Sequence, residues 1–294
     1  MLSILIPVYN FDSSRLVKDL HNQALKINIE FEILVYDDGS TQDIKQQNRK
    51  IQTSPQIRYL EFPNNIGRSK IRNRLAADAH FPFLLFMDCD SKVRSNNYLK
   101  KYIATSAVNT VIYGGRKYNS NPPSDTELNL HYYFGKNREA ISAIKRKKNP
   151  HLSFMTNNFL IPKAIFDSIR FEESIEGYGH EDTLFGLDLK EKGIPVIHID
   201  NPLEHIGLEH NSVFLKKQKE AVRNLYKIWK KEPFLETRLL STFINCKKWK
   251  IDSFLNVLLR YFKPLILKQL DKKKPNLFFL DLLKLQFLLE MDKA

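Results

Sequence analysis

Residues 83–90 read FLLFMDCD, an apolar run that ends in two carboxylates separated by one residue. A short apolar run between polar segments predicts a strand that is buried on both faces of a sheet. In an open α/β sheet, ligands bind beyond the carboxyl ends of the strands, so Asp88 and Asp90 are predicted to lie at a ligand site. Side chains two residues apart point to the same side of a strand, and two such carboxylates can hold a hard divalent cation. The alternative interpretation is an ordinary polar turn, in which Asp is common.

The segments around this strand alternate between strand and helix patterns. Strands are predicted at 2–8 (LSILIPV), 31–36 (FEILVY) and 57–62 (IRYLEF), and helices near 14–26, 42–52 and 68–79. This β-α-β-α-β-α-β order predicts a parallel sheet with helices on its faces. Beyond residue 90, strands are predicted at 110–118 and 194–200 and a helix around 126–146.

Composition indicates a soluble globular protein. The 294 residues are 43% hydrophobic and 27% charged, which supports a sizeable core. No run of 18 apolar residues occurs, so no membrane-spanning helix is predicted. The first residues read as a strand and not as a signal peptide, and the two cysteines fit a reducing compartment. A cytoplasmic location is therefore expected.

Two common nucleotide-binding loops are missing from the sequence. The first strand is not followed by Gly-x-Gly-x-x-Gly, and Gly-x-x-x-x-Gly-Lys-Ser/Thr does not occur. Without a glycine-rich cradle, a bound diphosphate needs another counter-charge. A metal ion on Asp90 and basic residues such as Arg72 would supply it.

Five motifs in order resemble the family-2 inverting glycosyltransferases. They are ILIPVYN at 4–10, ILVYDDGS at 33–40, NIGRSKIRN at 65–73, FMDCD at 86–90 and GHED at 179–182. The resemblance covers about residues 1–210 and points towards bacterial surface-polysaccharide glycosyltransferases. It implies an α/β fold of the GT-A (Rossmann-like) type, in which helices flank a mixed, mostly parallel sheet, with a C-terminal helical appendage.

The expected domain organisation follows from this resemblance and from the charge pattern. Residues 1–212 are predicted to form the GT-A catalytic domain, with a nucleotide-sugar-binding half at 1–110 and an acceptor-binding half at 111–212. Residues 213–294 are predicted to form a basic helical region.

The resemblance also implies which residues bind the nucleotide-sugar. The implied contacts are Pro7, Tyr9, Asn10 and Asp38 towards the base and ribose, Asn65, Gly67 and Arg72 towards the diphosphate, and Asp88 towards the ribose. Asp38 could instead belong to a plain turn with Gly39, and Arg72 could be a solvated helix residue. Asn157 or Asn158 would contact the donor sugar, or its amide would satisfy local backbone.

Asp90 would hold Mn²⁺ or Mg²⁺ on the diphosphate, where the cation neutralises the charge of the leaving group. In related sugar transferases, a histidine after the last strand completes the metal site. His205 is the first choice for this ligand, His210 the second and His198 the third. Imidazole binds Mn²⁺, but His198 alternates with apolar neighbours as a strand residue does.

Glu181 and Asp182 are the expected acceptor-side acids. An inverting transfer needs one base that takes a proton from the acceptor hydroxyl. The resemblance implies that Asp182 is this base and that Glu181 contacts the acceptor. The alternative is that both acids cap the start of a helix.

The end of the chain is strongly basic. Residues 215–294 hold 19 Lys and Arg against 8 Asp and Glu, a net charge of +11, whereas residues 1–214 hold 27 against 25, a net charge of +2. Helices are predicted at 213–231, 234–246, 251–270 and 276–291. Their apolar faces would pack against the protein, while basic amphipathic helices can also lie on an anionic membrane.

These observations predict a metal-dependent inverting glycosyltransferase of the hexosyltransferase class. It would move a sugar from a nucleotide-sugar, with UDP as the first choice, to a glycan or lipid-linked glycan hydroxyl in surface polysaccharide assembly. A peripheral position at the inner face of the cell membrane is expected. The alternative is a nucleic-acid- or membrane-binding protein that acts through its basic C-terminal helices and carries an inactive glycosyltransferase-like domain. Nucleic acid is the less favoured partner, because the basic region has no zinc-finger spacing and is rich in apolar residues.

Overall fold

The computed structural model describes residues 1–175, 177–232, 235 and 237–293. Its strands are β1 Leu2–Val8, β2 Phe31–Asp37, β3 Ile57–Glu61, β4 Phe83–Met87, β5 Ser91–Lys92, β6 Val111–Tyr113, β7 Arg116–Lys117, β8 Asn158–Pro162, β9 Val196–His198 and β10 Leu203–His205. Its helices are α1 Ser14–Ile27, α2 Gln42–Arg49, α3 Arg68–Asp78, α4 Tyr98–Thr105, α5 Asn129–Phe134, α6 Ala143–Arg146, α7 Lys163–Ile169, α8 Glu181–Glu191, α9 Asn211–Lys231, α10 Arg238–Lys248, α11 Asp252–Leu270 and α12 Leu277–Met291.

Seven strands form the main sheet in the order β3-β2-β1-β4-β8-β6-β9. The first four are parallel, β8 is antiparallel to both β4 and β6, and β9 is parallel to β6. The predicted α/β class with a mixed, mostly parallel sheet is confirmed. The carboxyl ends of β1, β2 and β4 meet at one edge, as the crossover connections of a parallel sheet require.

Both faces of the sheet are buried against apolar side chains. Along β1, Ile4 and Ile6 pack into the cluster under α1, and Leu5 packs into the cluster under α3. On β4, Phe86 stacks on Phe159 of β8 with ring centroids 4.8 Å apart. Full burial of each such side chain contributes about 1.5–3 kcal/mol, so the apolar run at 83–87 stabilises the centre of the sheet.

A second sheet of three short strands, in the order β5-β10-β7, lies beyond β4. In its register His205 pairs with Ser91, and Leu203 pairs with Arg116. This small sheet therefore brings residues from three distant parts of the chain close to Asp90.

The chain divides into two compact units that are interleaved along the sequence. The first contains Met1–Asn119, Glu139–Ile175 and Glu181–Gly207. The second contains Ser120–Arg138, the segment before α8, and the described residues from Leu208 onward. The boundary expected between residues 212 and 213 stays a prediction.

The predicted C-terminal helices are present as α9 to α12, with ends that differ by a few residues from those expected. Residues 234 and 236 of the predicted helix 234–246 lie outside the described residues. Within the second unit, α12 packs against α9, α10 and α11. None of the helices in the described part of the chain is long and apolar enough to cross a membrane.

The single helix expected at 126–146 is divided. A 3-10 turn at Thr126–Leu128 leads into α5, a π-helical turn follows at Gly135–Glu139, and α6 is separate. The π-helical turn ends at Glu139, whose carboxylate is bonded to Arg116 of β7. The stretch between α5 and α6 contains Gly135, Asn137 and Ser142, which have low helix propensity, so a continuous helix is not favoured there.

Candidate active site

The ends of β1 and β2 form one side of the candidate site. The buried carboxylate of Asp38 accepts hydrogen bonds from the backbone N–H groups of Ile66 (2.6 Å) and Gly67 (3.1 Å). Gly67 adopts a φ of 96°, a conformation that favours glycine, and opens α3. Burial raises the pKa of Asp38, although the two N–H groups oppose the rise. Asp38 thus anchors the turn that holds the exposed Asn65.

Pro7, Tyr9 and Asn10 lie at the end of β1 as the strand leaves the sheet. The backbone N–H of Asn10 donates to Ser40 Oγ (2.8 Å), and its side-chain oxygen accepts from the N–H of Thr41 (2.9 Å). These bonds fasten the end of β1 to the loop after β2. The Tyr9 side chain is 54% exposed, so its ring is available at the open edge of the sheet.

Arg72 of α3 lies between the Asp-x-Asp sequence that ends β4 and the Glu-Asp pair that opens α8. Its guanidinium donates to Asp88 Oδ1 (2.8 Å) and lies 4.0 Å from Glu181 Oε1. The Arg72 side chain is only 4% exposed, which excludes the solvated helix residue considered from the sequence. The structure therefore brings the end of β4 and the start of α8 to opposite sides of one guanidinium.

Two further charged residues complete this network and were not predicted. Arg116 of β7 donates to Asp88 Oδ2 (2.9 Å) and to Glu139 Oε2 (3.0 Å), and the Tyr118 hydroxyl also donates to Glu139. Burial opposes the ionisation of Glu139, but Arg116 overcomes it and keeps the pKa of Glu139 below its ordinary value. Both oxygens of Asp88 are thus already bonded to arginines. The sequence signal near Arg116 is the Gly114-Gly115 pair, which indicates a bulge or a close approach but does not identify Arg116 or its partner.

Asp90 lies against His205 of β10. The Nδ1 atom of His205 is 3.3 Å from Asp90 Oδ1, and both side chains are largely enclosed. Burial opposes the ionisation of Asp90, but His205 holds its pKa well below the usual range. At Gly207, a Cβ atom would come within 2.6 Å of Asp90 Oδ2, so only glycine allows the chain to pass this carboxylate.

A carboxylate oxygen and an imidazole nitrogen fit the donor set that Mn²⁺ accepts, so Asp90 and His205 could hold such an ion. Among the described residues, no group of three or more His, Cys, Asp or Glu side chains is arranged to hold a metal. The remaining ligands would therefore have to come from a bound phosphate or from water.

The other two candidate histidines have different surroundings. His198 is buried, its Nδ1 accepts from Arg146 Nε (3.0 Å), and its Nε2 lies 2.9 Å from the carbonyl oxygen of Pro150. Burial lowers the pKa of His198 to about 4. Both ring nitrogens of His198 thus contact protein atoms and neither is free to bind a metal ion. His198, the third choice of metal ligand from the sequence, is therefore no longer a candidate. His210 is exposed and directly precedes α9 in the second unit.

Glu181 and Asp182 open α8 with different electrostatics. Burial opposes ionisation of Glu181, but Arg68 (3.4 Å) and Arg72 overcome it and lower the pKa. For Asp182, burial first and the adjacent Glu181 second raise the pKa to about 7. One Asp182 oxygen accepts from the N–H of Thr183, the next residue of the helix (2.8 Å), whereas a capping side chain bonds the N–H two or three residues on. A carboxyl group that titrates near neutral pH is suited to general base chemistry.

The loop directly before α8 is held on α9 within the second unit. The Asn224 amide donates to the carbonyl oxygens of Tyr178 (3.1 Å) and Gly179 (3.4 Å). Gly179 has a φ of 95°, and a Cβ there would lie 2.7 Å from the Cβ of Ala221. Any other residue would be strained at this φ, and its Cβ atom would clash with Ala221. Glycine is therefore required at this position.

The expected sugar contact of Asn158 is corrected by the structure. Its side chain is fully buried, its oxygen accepts from the hydroxyls of Tyr98 (2.6 Å) and Tyr102 (2.7 Å), and its amide donates to the carbonyl oxygens of Gly115 (2.7 Å) and Asn201 (3.0 Å). These partners use the whole amide. Asn158 therefore satisfies local groups, the alternative considered from the sequence.

Comparison with known proteins identifies the family. The sequence model of glycosyl transferase family 2 matches residues 3–170, more than half of the chain. Two validoxylamine A glucosyltransferases, from Streptomyces hygroscopicus subsp. limoneus and subsp. jinggangensis, are each 27% identical over 225 residues, or 67% of this chain. These segments are 49% and 53% of those proteins, so the chain spans about half the length of the curated relatives that it matches.

Solved structures share the fold. A mannosyltransferase from Pyrobaculum calidifontis, in complex with GDP-Man and Mn²⁺, superposes with a TM-score of 0.55 at 12% identity, covering 80% of this chain and 65% of that one. Staphylococcus aureus TarS residues 1–349, solved with UDP-GlcNAc, gives a TM-score of 0.51 at 16% identity, covering 99% and 91% of the two chains. The predicted GT-A fold is confirmed.

Proposed function

Because the chain belongs to glycosyl transferase family 2 and is a glycosyltransferase, we propose that it catalyses a metal-dependent, inverting sugar transfer from a nucleotide-sugar. The observation that carries this proposal is the position of Arg72 between Asp88 and Glu181. It brings the Asp-x-Asp sequence at the end of β4 and the Glu-Asp pair of α8 to one place, where a donor and an acceptor must meet.

The donor is proposed to lie along the ends of β1, β2 and β4. The exposed Tyr9 ring and the turn anchored by Asp38 would receive the base and ribose, and the N-terminal end of α3 would face the diphosphate, as helix N-termini do for anions. A UDP-sugar is the first choice. It is supported by the likeness to TarS, whose structure holds UDP-GlcNAc, while the likeness to the mannosyltransferase with GDP-Man keeps a GDP-sugar as the second choice.

Asp90 and His205 are proposed to hold Mn²⁺ or Mg²⁺. When bound, the cation would neutralise charge on the nucleoside diphosphate that leaves. Because Arg72 and Arg116 bind both oxygens of Asp88, we propose that this carboxylate supports the two arginines and not the ribose directly.

The transfer itself is proposed to be a single displacement. The acceptor hydroxyl oxygen forms a bond to the anomeric carbon, the bond from that carbon to the diphosphate oxygen breaks, and its electron pair leaves with the diphosphate. Asp182 takes the hydroxyl proton, while Glu181, ionised beside Arg68 and Arg72, would bind the acceptor. Attack on the face opposite the leaving group inverts the anomeric centre.

The proposed acceptor is a glycan or lipid-linked glycan hydroxyl in surface polysaccharide assembly. We place this reaction in the cytoplasm, with the protein held at the inner face of the membrane. The net charge of +11 over residues 215–294 supports this location, since the cytoplasmic leaflet is anionic.

The test is donor hydrolysis with UDP-, GDP- and TDP-sugars in the presence of Mn²⁺, with and without EDTA. It compares the wild type with Asp90→Ala and, as a matched control, with Asp167→Ala, which changes an exposed aspartate of α7. EDTA-sensitive release of one nucleoside diphosphate, lost in Asp90→Ala and kept in Asp167→Ala, is expected. If calorimetry detects no nucleotide binding to the wild type, the proposal is wrong.

A further inference from the structure

The outward-facing side of α11 carries an exposed apolar stripe, which we call the α11 outer face. Its members follow helical spacing and are Phe254, Val257, Leu258, Tyr261 and Leu265. Tyr261 is 78% exposed and Phe254 71%. The opposite side of the same helix is buried through Leu259, Ile266 and Leu270, and it packs against α12. The helix thus has two apolar sides, and one of them meets no other part of the described chain over most of its surface.

Basic residues lie at both ends of this face. Before α11, residues 247–250 read KKWK, in which Trp249 is 67% exposed, and after it residues 272–274 read KKK. From 247 to 274 there are 9 Lys and Arg against 2 Asp, a net charge of +7. Arg260 and Lys268 add exposed charge along the helix itself. The exposed aromatic and aliphatic side chains of the α11 outer face therefore have lysines at both ends of the helix.

The charge decides which occupant suits this face. A second copy of the chain would bring two sets of seven net positive charges together, which opposes association. A nucleic acid would place phosphates against the apolar stripe, which they cannot cover favourably. An anionic bilayer satisfies both features, because its interfacial region accepts Phe, Tyr and Leu while its headgroups attract Lys and Arg.

We propose that the α11 outer face docks the protein on an anionic lipid bilayer, with the helix lying in the plane of the headgroups. This inference refines the membrane location in the proposed function and rests on it. The stripe residues from Phe254 to Tyr261 precede Pro264 and span two turns, about 11 Å of helix, so they can enter the interface together. Lysines at both helix ends would extend towards the headgroups while their alkyl chains stay on the apolar surface.

The test is flotation of the purified protein with two kinds of vesicle, phosphatidylcholine alone and phosphatidylcholine with 30% phosphatidylglycerol (about one headgroup in three anionic). The wild type is expected to float with the anionic vesicles, and its tryptophan emission, to which Trp229 and the exposed Trp249 both contribute, is expected to shift to the blue. Phe254→Ser with Tyr261→Ser should reduce binding about tenfold or more, since both side chains are exposed and their loss leaves the fold intact. Its control, Val108→Ser with Leu152→Ser, changes two exposed apolar residues of the first unit and should bind as the wild type does.

A charge test complements the apolar one. Changing Lys272, Lys273 and Lys274 to Glu should abolish flotation, because each basic residue near the surface contributes about fivefold to binding. The same change at the exposed Lys145, Lys147 and Lys148 alters the net charge equally and should leave most of the binding intact.

The proposal is overturned if the Phe254→Ser, Tyr261→Ser variant floats as well as the wild type. It is equally overturned if the wild type ignores anionic vesicles but binds duplex DNA with steep salt dependence, or forms a dimer that this variant dissolves. Donor hydrolysis in solution separates the two proposals. A variant that releases nucleotide normally but does not float supports the docking face, and a wild type that floats but releases no nucleotide contradicts the proposed reaction alone.

Discussion

Asp90 at the end of β4 and Asp182 at the start of α8 are both largely enclosed aspartates, yet their pKa values move in opposite directions. Burial disfavours the charge of each. At Asp90 the neighbouring His205, 3.3 Å away, reverses this effect and keeps the carboxylate ionised. At Asp182 the neighbouring Glu181 adds to it, and the pKa rises to about 7. The sign of the nearest charge therefore separates a group suited to bind cations from a group suited to take up a proton.

The largest expected effect comes from Asp182→Asn. This change keeps the shape of the side chain but removes the proposed base, so kcat should fall by about 10³-fold. Nucleotide affinity measured by calorimetry should stay unchanged, since the change is on the acceptor side of Arg72. Glu191→Gln, an exposed acid at the end of the same helix, is the control and should keep wild-type kcat. More than a tenth of wild-type turnover in Asp182→Asn would contradict its role.

The next effect concerns Arg116, which bridges Asp88 and Glu139. Arg116→Ala leaves the charges of Asp88 and Glu139 without their shared partner in a buried setting, so the free energy of unfolding should fall by about 3 kcal/mol. Urea denaturation measures this loss.

The matched control is Arg49→Ala, whose partner is Glu61 and whose side chain is 54% exposed. Because exposed ion pairs contribute little, this variant should lose less than about 1 kcal/mol. Equal losses in the two variants would show that the Arg116 network does not stabilise the site.

A smaller effect is expected where the loop before α8 approaches α9. Gly179→Ala forces a strained φ on alanine and adds a contact of 2.7 Å with Ala221, so turnover should fall about tenfold through displacement of Glu181 and Asp182. Gly193→Ala also has a positive φ, but no atom lies within 4 Å of its new Cβ. It should cost about 1 kcal/mol of stability and leave kcat near wild type, whereas equal kcat losses would assign the effect to strain alone.

The smallest effect is a shift in pH dependence. Asp182 must be ionised to act as a base, so kcat/KM should rise with pH through about 7. Glu181→Gln removes the charge that raises this pKa, so the acid limb of the profile should move to lower pH. An unmoved limb would mean that burial alone sets the pKa.

Stability gives an independent check of the same group. Because the folded pKa of Asp182 lies above that of an ordinary carboxyl, the protein takes up a proton on folding between the two values. The contribution of this group to the free energy of unfolding is present at low pH and is lost as pH rises from about 4 to about 7. Asp182→Asn should remove that decline.

The sequence predicts the sheet and the strand ends that carry the site, because these depend on local patterns. The apolar run at 83–87 specifies a buried strand, and the alternation of strands and helices before it specifies parallel order. Together they place Asp38 and Asp88 at one edge of the sheet. Periodicity and strand order require no knowledge of distant contacts.

Arg116 and Glu139 could not be found in this way. They are 23 residues apart, on a two-residue strand and at the end of a π-helical turn, and their pairing depends on tertiary structure. The prediction that Asn158 contacts the sugar failed for the same reason, because its hydrogen-bond partners Tyr98, Tyr102 and Asn201 are distant in sequence. A polar residue near a site looks the same in sequence whether it faces the ligand or the protein interior.

The bond between the Tyr118 hydroxyl and Glu139 has a consequence for how this chain can vary. It closes the segment between these residues at its base, where the chain leaves the first unit and returns to it. Within this segment α5 is largely buried and packs against α9, so a change of its length would remove packing. The mostly exposed residues 121–125 before it are different, because an insertion there lengthens only a surface turn and costs little closure entropy. Length changes are therefore expected to be tolerated at 121–125, while Arg116 keeps both of its carboxylate partners.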